Sequence, residues 1–151
     1  MGSSYTCINV HIIFHVKSNN HCLMKENDLP RIFQYIGGIV KQLSGYPYAI
    51  GGCPDHLHIL TTLPTTTNLS DFVRAIKAGS SKWIKNIDES YHYFGWQEGY
   101  GAFSVSGTRK NAVINYIKNQ KKHHQEHTSA EEMRLFIKNS TVNSDEEPEQ
   151  Y

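Results

Sequence analysis

No stretch of this sequence approaches the ~18 consecutive apolar residues that a membrane-spanning helix requires. The amino-terminal segment also lacks the basic, apolar and small-residue zones of a secretory signal peptide. We therefore expect no membrane partner and a protein that works in the cytoplasm. The length of 151 residues fits one globular domain with a single hydrophobic core.

Cysteine is also scarce. The three cysteines, Cys7, Cys22 and Cys53, are odd in number and show no C-x-x-C spacing. A disulfide framework and a cysteine-ligated zinc site both need paired or closely spaced cysteines, so the sequence argues against both. We expect three reduced thiols.

The sequence has almost no net charge, with a formal value of +1 at pH 7, but its charges are unevenly placed. Residues 109–127 hold five Lys or Arg, three His and one acid, whereas residues 140–151 hold four acids and no base. The basic segment is either a phosphate-binding surface or a solvated helix face, and charge alone favours neither. The acidic end predicts a disordered tail at 140–151, after a single domain at 1–139.

Patterns of apolar residues predict one α+β domain without internal repeats. The predicted elements are a strand at 5–17, a helix at 29–44, strands at 46–52 and 55–63, a helix at 69–87, a bent strand or hairpin at 91–106, a helix at 109–127 and a short helix at 130–138. The first six follow the order of a ferredoxin-like (RRM-like) fold, an antiparallel sheet with two helices on one face. The third helix is therefore predicted to cover the other face.

A pair of histidines lies near the start of the third predicted strand. His56 and His58 share one face of this strand because successive side chains point to opposite faces. The first and third strands of a ferredoxin-like sheet are neighbours, which adds His11 to the same open face. Two imidazoles placed in this way can share one cation, although the pair alone also fits ordinary polar residues of a sheet. Asp55 is predicted on the opposite face and is left out of the ligand set.

Tyr116 and Gln120 lie four residues apart in the predicted third helix and so project from one stripe. Together they could present a phenol and an amide oxygen to the cation held by the histidine pair. The pattern indicates a metal-assisted tyrosine nucleophile. The alternative is a packing tyrosine with its hydroxyl at the surface.

Three separated motifs carry a resemblance to a known family. They are Asp55-His56-Leu57-His58, the run from Trp96 to Ser106, and Tyr116-x-x-x-Gln120. In this order and at these distances they resemble the single-tyrosine HUH transposases of the smallest bacterial insertion sequences, the IS200-like family. The resemblance covers roughly residues 5–127.

The resemblance implies a bacterial DNA strand transferase that cleaves and rejoins single-stranded DNA at insertion-sequence ends and recognises DNA hairpins. It implies that Tyr116 attacks the scissile phosphate to form a 5′-phosphotyrosine, while His56, His58 and Gln120 ligate a divalent metal. The phosphotyrosine bond keeps the energy for rejoining, so we expect no nucleotide cofactor. The family also forms homodimers, and Gly107 is a candidate hinge before the tyrosine helix.

A phenol with a pKa of about 10 is a poor nucleophile at neutral pH, so a cation would supply the activation that the tyrosine lacks. We expect Mg²⁺ in cells with Mn²⁺ as a good substitute, because phosphoryl transfer commonly uses magnesium although imidazole suits softer ions. His11 is expected to orient one of the metal ligands. Basic residues expected to grip DNA phosphates lie on the second helix and at the start of the third: Arg74, Lys77, Lys82, Lys85, Arg109 and Lys110.

Three other functions stay open from the sequence. A non-catalytic, ferredoxin-like nucleic-acid-binding module would carry aromatic residues where the first strand has Cys7, Asn9 and His11. A domesticated relative would cut chromosomal repeat hairpins without moving its own gene. A zinc hydrolase would need a carboxylate base, for which only Asp55 is adjacent to the histidine pair.

Overall fold

The computed structural model describes residues 2–17, 22–122 and 128–140. The strands in these ranges are β1 (Asn9–His15), β2 (Pro47–Cys53), β3 (His56–Thr62) and β4 (Gly101–Ser104). The helices are α1 (Leu29–Gln42), α2 (Leu69–Ile87), α3 (Lys110–Lys118) and α4 (Ser129–Ser140), with short 3₁₀ helices at Glu26–Asp28 and Glu89–Tyr91. None of the helices within these ranges combines the length and apolar character needed to cross a bilayer.

The four strands form one antiparallel sheet in the order β2-β3-β1-β4. This is the strand order of a ferredoxin-like fold, so the predicted fold class is confirmed. In the register of the two central strands, His15 pairs with His56 and Ile13 pairs with His58. Residues directly opposite each other in an antiparallel pair share a face, so the register brings histidines of both strands together.

The main hydrophobic core lies between the sheet and helices α1 and α2. β1 contributes Val10, Ile12 and Phe14 from alternate positions, as its pattern predicts. Helix α2 begins after Asn68, whose side chain accepts a hydrogen bond from the backbone N–H of Asp71. The helices add a stripe of buried apolar residues at helical spacing: Ile32, Ile36 and Val40 from α1, and Phe72, Val73, Ile76 and Ile84 from α2.

Helices α3 and α4 lie on the opposite face of the sheet, which confirms the predicted position of the tyrosine helix. Ile117 of α3 packs with Ala49 and Leu60 in a second, smaller core cluster. The close approach depends on Gly51, where an added Cβ would lie 2.5 Å from the backbone oxygen of Ile117. The tyrosine helix is thus packed against β2 and β3, with its backbone in close contact with the backbone of β2.

Two element boundaries differ from the sequence prediction. β1 begins at Asn9, not at residue 5, because its partner β3 ends at Thr62, which lies opposite Asn9. Helix α3 ends at Lys118, and the backbone N–H of Asn119 bonds to the carbonyls of both Asn115 and Tyr116 in a turn. Residues 120–122 are helical again, whereas 123–127 and the predicted tail beyond residue 140 lie outside the described residues.

The segment predicted as a strand or hairpin at 91–106 is a regular strand only at β4. The loop before β4 contains Gly99 with a φ of 88°, a conformation that favours glycine. The ammonium of Lys77 donates hydrogen bonds of 2.8 and 2.6 Å to the carbonyls of Gln97 and Gly99. A side chain of α2 therefore fixes this loop, an interaction that local patterns cannot show.

Candidate active site

The histidine pair lies on the sheet face that α3 and α4 cover. β3 starts at His56, directly after the turn at Pro54 and Asp55. His56 and His58 are each only 1% exposed. Buried polar rings need partners, so the atoms around them define the chemistry of the site.

Each histidine of the pair is held through its Nδ1 atom. His56 Nδ1 lies 2.7 Å from Asp55 Oδ1, and His58 Nδ1 lies 2.8 Å from His11 Nε2. A hydrogen bond at Nδ1 orients the ring and leaves Nε2 for a ligand. The structure thus places His11 against His58. Asp55, a residue outside the predicted ligand set, contacts the Nδ1 side of the His56 ring, opposite Nε2.

The turn after α3 brings Gln120 to the histidines together with Tyr116. Gln120 Oε1 lies 3.0 Å from His56 Nε2, although the two residues are 64 positions apart in sequence. The Tyr116 ring centre lies 5.7 Å from that of His58. The four residues predicted as nucleophile and ligands therefore lie in one cluster.

Glu132 of α4 also belongs to this cluster, and sequence reasoning missed it. Its Oε2 atom lies 3.8 Å from Nε2 of both His56 and His58, and the residue is 4% exposed. A signal was present, because Glu132 shares a helical stripe with Met133 and Phe136. An acid on the apolar side of a helix indicates a buried carboxylate that needs a partner.

The cluster has the donors of a metal site. One ligand atom from each of His56, His58 and Glu132 lies within 4.8 Å of the others. Among the described residues, His58 Nε2, Gln120 Nε2 and both carboxylate oxygens of Glu132 are buried without a hydrogen bond. Imidazole nitrogen and carboxylate oxygen both bind divalent ions in proteins. These residues could therefore hold a divalent metal.

Burial and neighbouring charges set the protonation of the histidines. Burial lowers the pKa of His11 to about 4 and places that of His58 well below its usual range. Burial also acts to lower the pKa of His56, but the hydrogen bond and charge of Asp55, together with Gln120 and the charge of Glu132, outweigh it and raise the pKa overall. His11 and His58 are therefore neutral at pH 7, the form in which imidazole binds a metal.

The Tyr116 phenol is a weak nucleophile in this setting. Burial raises its pKa above the ordinary value, the nearby Gln120 amide opposes that rise, and the carboxylate of Glu132 adds to it. The phenol is therefore protonated at neutral pH. A cation in the cluster would offset the negative charge that disfavours its ionised form.

The six basic residues predicted to contact DNA lie on opposite faces of the sheet. One set belongs to α2 and the other to the start of α3: Arg74, Lys77, Lys82 and Lys85, then Arg109 and Lys110. The Lys77 ammonium contacts the loop before β4, and that of Lys110 lies 4.5 Å from the Tyr48 ring centre. The set on α2 and the set at the start of α3 therefore form two separate basic surfaces.

The chain matches the family described as "Transposase IS200 like" over residues 4–120. This match includes the histidine pair, Tyr116 and Gln120, whereas α4 with Glu132 follows it. The chain belongs to the IS200-like transposase family, a family of DNA-cleaving enzymes, and the resemblance drawn from the motifs is confirmed.

Two solved structures share the fold. One, described as a "putative transposase" from Deinococcus radiodurans R1, has a TM-score of 0.58 and 22% identity, covering 80% of this chain and 96% of that one. The other, a REP-associated tyrosine transposase bound to a REP hairpin, has a TM-score of 0.58 and 12% identity, covering 99% of this chain and 94% of that one. At these identities the likeness shows the fold alone. No curated protein sequence matches the chain.

Proposed function

We propose that this transposase cleaves and rejoins single-stranded DNA at insertion-sequence ends in the bacterial cytoplasm, with Tyr116 as the nucleophile. The observation that carries the proposal is the convergence of Tyr116 and Gln120 on the buried pair His56 and His58. It sets a phenol beside a cluster that could hold a metal. Family membership supplies DNA as the substrate class.

His56, His58 and Gln120 would hold a divalent metal, Mg²⁺ in the cell with Mn²⁺ as a substitute. When bound, the metal would polarise a non-bridging phosphate oxygen and stabilise the charge that develops during attack. Asp55 and His11 would keep the two imidazoles oriented through Nδ1.

In the proposed step, the phenolic oxygen of Tyr116 forms a bond to phosphorus while the bond from phosphorus to the 3′ oxygen breaks. The phenol loses a proton and the leaving 3′ oxygen gains one. The products are a 5′-phosphotyrosine and a free 3′ hydroxyl, so the number of phosphoester bonds is unchanged. Attack of a 3′ hydroxyl on the phosphotyrosine rejoins the strand without a nucleotide cofactor.

A DNA hairpin is the proposed recognition element, gripped through its phosphates by basic side chains. The two surfaces that could do so are those of α2 and of the start of α3, and a protein of the same fold is described as bound to a hairpin. Phosphate contacts release counterions, so affinity should fall steeply as salt rises. Lys77 should contribute least, because loop carbonyls already engage its ammonium.

The family resemblance also supports a homodimer. In the described chain Tyr116 lies beside its own His58, an arrangement in which one protomer would supply both nucleophile and ligands. Rotation about Gly107 would instead bring the tyrosine helix to a partner. Sedimentation of the full chain measures the mass directly, and a monomer at assay concentrations would refute the dimer.

The alternatives make different demands on the sheet. A nucleic-acid-binding module of the RNA-recognition type needs an open sheet face on which bases stack. Here α3 and α4 cover that face, and His11 and His58 are each 1% exposed, which favours the enzyme. A domesticated relative shares the chemistry and differs in its DNA target, so a comparison of substrates separates the two.

Incubation with 3′-labelled DNA tests the proposal. The substrates are a hairpin with a single-stranded flank, a linear single strand and a duplex, each with Mg²⁺, Mn²⁺ or a chelator. We expect a metal-dependent protein–DNA adduct that survives a denaturing gel with the hairpin substrate but not with the duplex. If no adduct formed on any single-stranded substrate with either metal, the proposal that Tyr116 is the nucleophile would be refuted. Equal affinity for all three DNAs would refute hairpin recognition.

A further inference from the structure

We propose that α4 is part of the metal centre, with Glu132 as a ligand beside His56 and His58, so that metal binding holds α4 over Tyr116. The proposal rests on the metal site of the proposed function and not on its DNA chemistry. It assigns a function to the helix that follows the family match.

The burial of Glu132 is the first observation. An ionised carboxylate taken out of water is costly unless a cation or hydrogen-bond donors surround it. Oε2 of Glu132 lies 3.8 Å from Nε2 of His56 and 3.8 Å from Nε2 of His58, both longer than a hydrogen bond. A divalent cation among these three atoms would neutralise the carboxylate and take Nε2 of both imidazoles as ligands, in place of the contact between His56 Nε2 and Gln120 Oε1.

The packing of α4 is the second observation. Met133 fits against Gly101, where an added Cβ would lie 3.0 Å from its Sδ. Phe136 adds contacts at centroid distances of 4.9, 5.2 and 5.8 Å from the rings of His11, Tyr116 and Phe103, whereas Leu135 is 49% exposed. A metal–oxygen bond through Glu132 would join this packing and tie α4 to β3.

The charge of Glu132 is the third observation. Gln120 is a neutral amide at the last residue of the family match, whereas Glu132 is an acid that follows it. Affinity for a hard divalent cation rises with the number of charged ligands. Metal affinity in the absence of DNA should therefore depend more on Glu132 than on Gln120.

Calorimetric titration of the full chain with Mn²⁺ gives the first test. Glu132→Gln keeps the shape of the side chain and removes its charge, and Glu131→Gln does the same at an exposed neighbouring position. We expect Glu132→Gln to weaken Mn²⁺ binding on the order of 10–100-fold, and Glu131→Gln to leave it unchanged. Wild-type affinity in folded Glu132→Gln would overturn the proposal.

Amide hydrogen exchange gives a second test, and its comparison of the wild type with and without metal does not depend on the folding of any variant. Added Mn²⁺ should slow exchange across α4 in the wild type, in Glu131→Gln and in Tyr116→Phe, but not in Glu132→Gln. Identical exchange of α4 with and without Mn²⁺ in the wild type would overturn the proposal. Tyr116→Phe lacks the proposed nucleophile. If Mn²⁺ slows the exchange of α4 in this variant, α4 is part of the metal centre even if DNA cleavage is never observed.

Discussion

Single atoms decide whether the histidine pair can serve as a metal site. His56 and His58 each use Nδ1 for a neighbour within the chain, Asp55 and His11 respectively. Each ring is thereby fixed with Nε2 directed to the space near Glu132. The two orienting residues should therefore matter for metal affinity although neither contributes a ligand atom to that space.

Asp55 offers a sharp test of this orientation. Asp55→Ala should weaken Mn²⁺ binding about 10–100-fold, because the His56 ring loses its acceptor at Nδ1. Asp55→Asn keeps an oxygen in the same place and should restore most of the affinity. Calorimetry measures the Mn²⁺ affinity of both variants. Their free energy of unfolding should change little, because the Asp55 side chain is 36% exposed. An alanine variant with wild-type affinity would show that Asp55 does not position the ring.

Residue spacing predicted those site residues that share an element. His56 and His58 follow from strand alternation, and Tyr116 and Gln120 from helical neighbours four apart. The apolar stripe of α4 indicates that Glu132 is buried, but not that it lies beside the histidines, because that contact depends on how α4 docks on the sheet. Strand alternation predicts that Asp55 faces away from His56, yet its short side chain reaches the adjacent ring from the turn before β3.

At the scale of elements, Gly51 controls how closely α3 approaches β2. Gly51→Ala should lower the free energy of unfolding by about 1–3 kcal/mol, because its Cβ would lie 2.5 Å from the Ile117 oxygen and push α3 away. Adduct formation should slow as Tyr116 moves with the helix. Urea unfolding and a timed cleavage assay measure the two effects.

Gly38→Ala is the matched control for this substitution. Gly38 lies within α1, and an added Cβ meets nothing within 4 Å. Alanine there should stabilise the fold by about 0.5–1 kcal/mol, since glycine is costly in a helix interior. Stabilisation by both substitutions would contradict the close contact between α3 and β2.

Lys77 distinguishes a structural lysine from a DNA-binding one. Lys77→Ala should lower the free energy of unfolding by about 1–2 kcal/mol, because the carbonyls of Gln97 and Gly99 lose a charged donor. Lys82→Ala, at an exposed position of the same helix, should change it by less than about 0.5 kcal/mol. Lys82→Ala should instead reduce the salt slope of hairpin binding by about one unit. If Lys77→Ala instead reduced the salt slope and left the free energy of unfolding unchanged, Lys77 would be a phosphate contact.

Elements with strong periodicity were predicted well, and those shaped by tertiary contacts were not. Helix α2 spans Leu69–Ile87, as its apolar stripe and the Asn68 cap predict. The loop before β4 departs from the prediction because Lys77 of α2 fixes its carbonyls and Gly99 turns its backbone. Helix α3 ends early because the turn at Asn119 interrupts it.

In the whole molecule, the two faces of the sheet have different roles. The main core fills one face with α1 and α2, and the candidate site occupies the other under α3 and α4. The strand order could be predicted from the sequence of elements, because strand, helix, strand, strand, helix, strand has one common arrangement. The covering of the site by α4 was not predictable, since it rests on Met133, Phe136 and the buried carboxylate of Glu132.

Mapping the covalent adduct tests the central claim most directly. Wild-type protein and Tyr5→Phe, altered at a tyrosine that is 96% exposed, should both form a metal-dependent adduct with the hairpin substrate. Peptide mass spectrometry should place the attached nucleotide on Tyr116. Tyr116→Phe should form no adduct while it still binds Mn²⁺ and the hairpin, because it loses one oxygen and little packing. An adduct that persists in Tyr116→Phe, or that maps to another residue, would contradict the account.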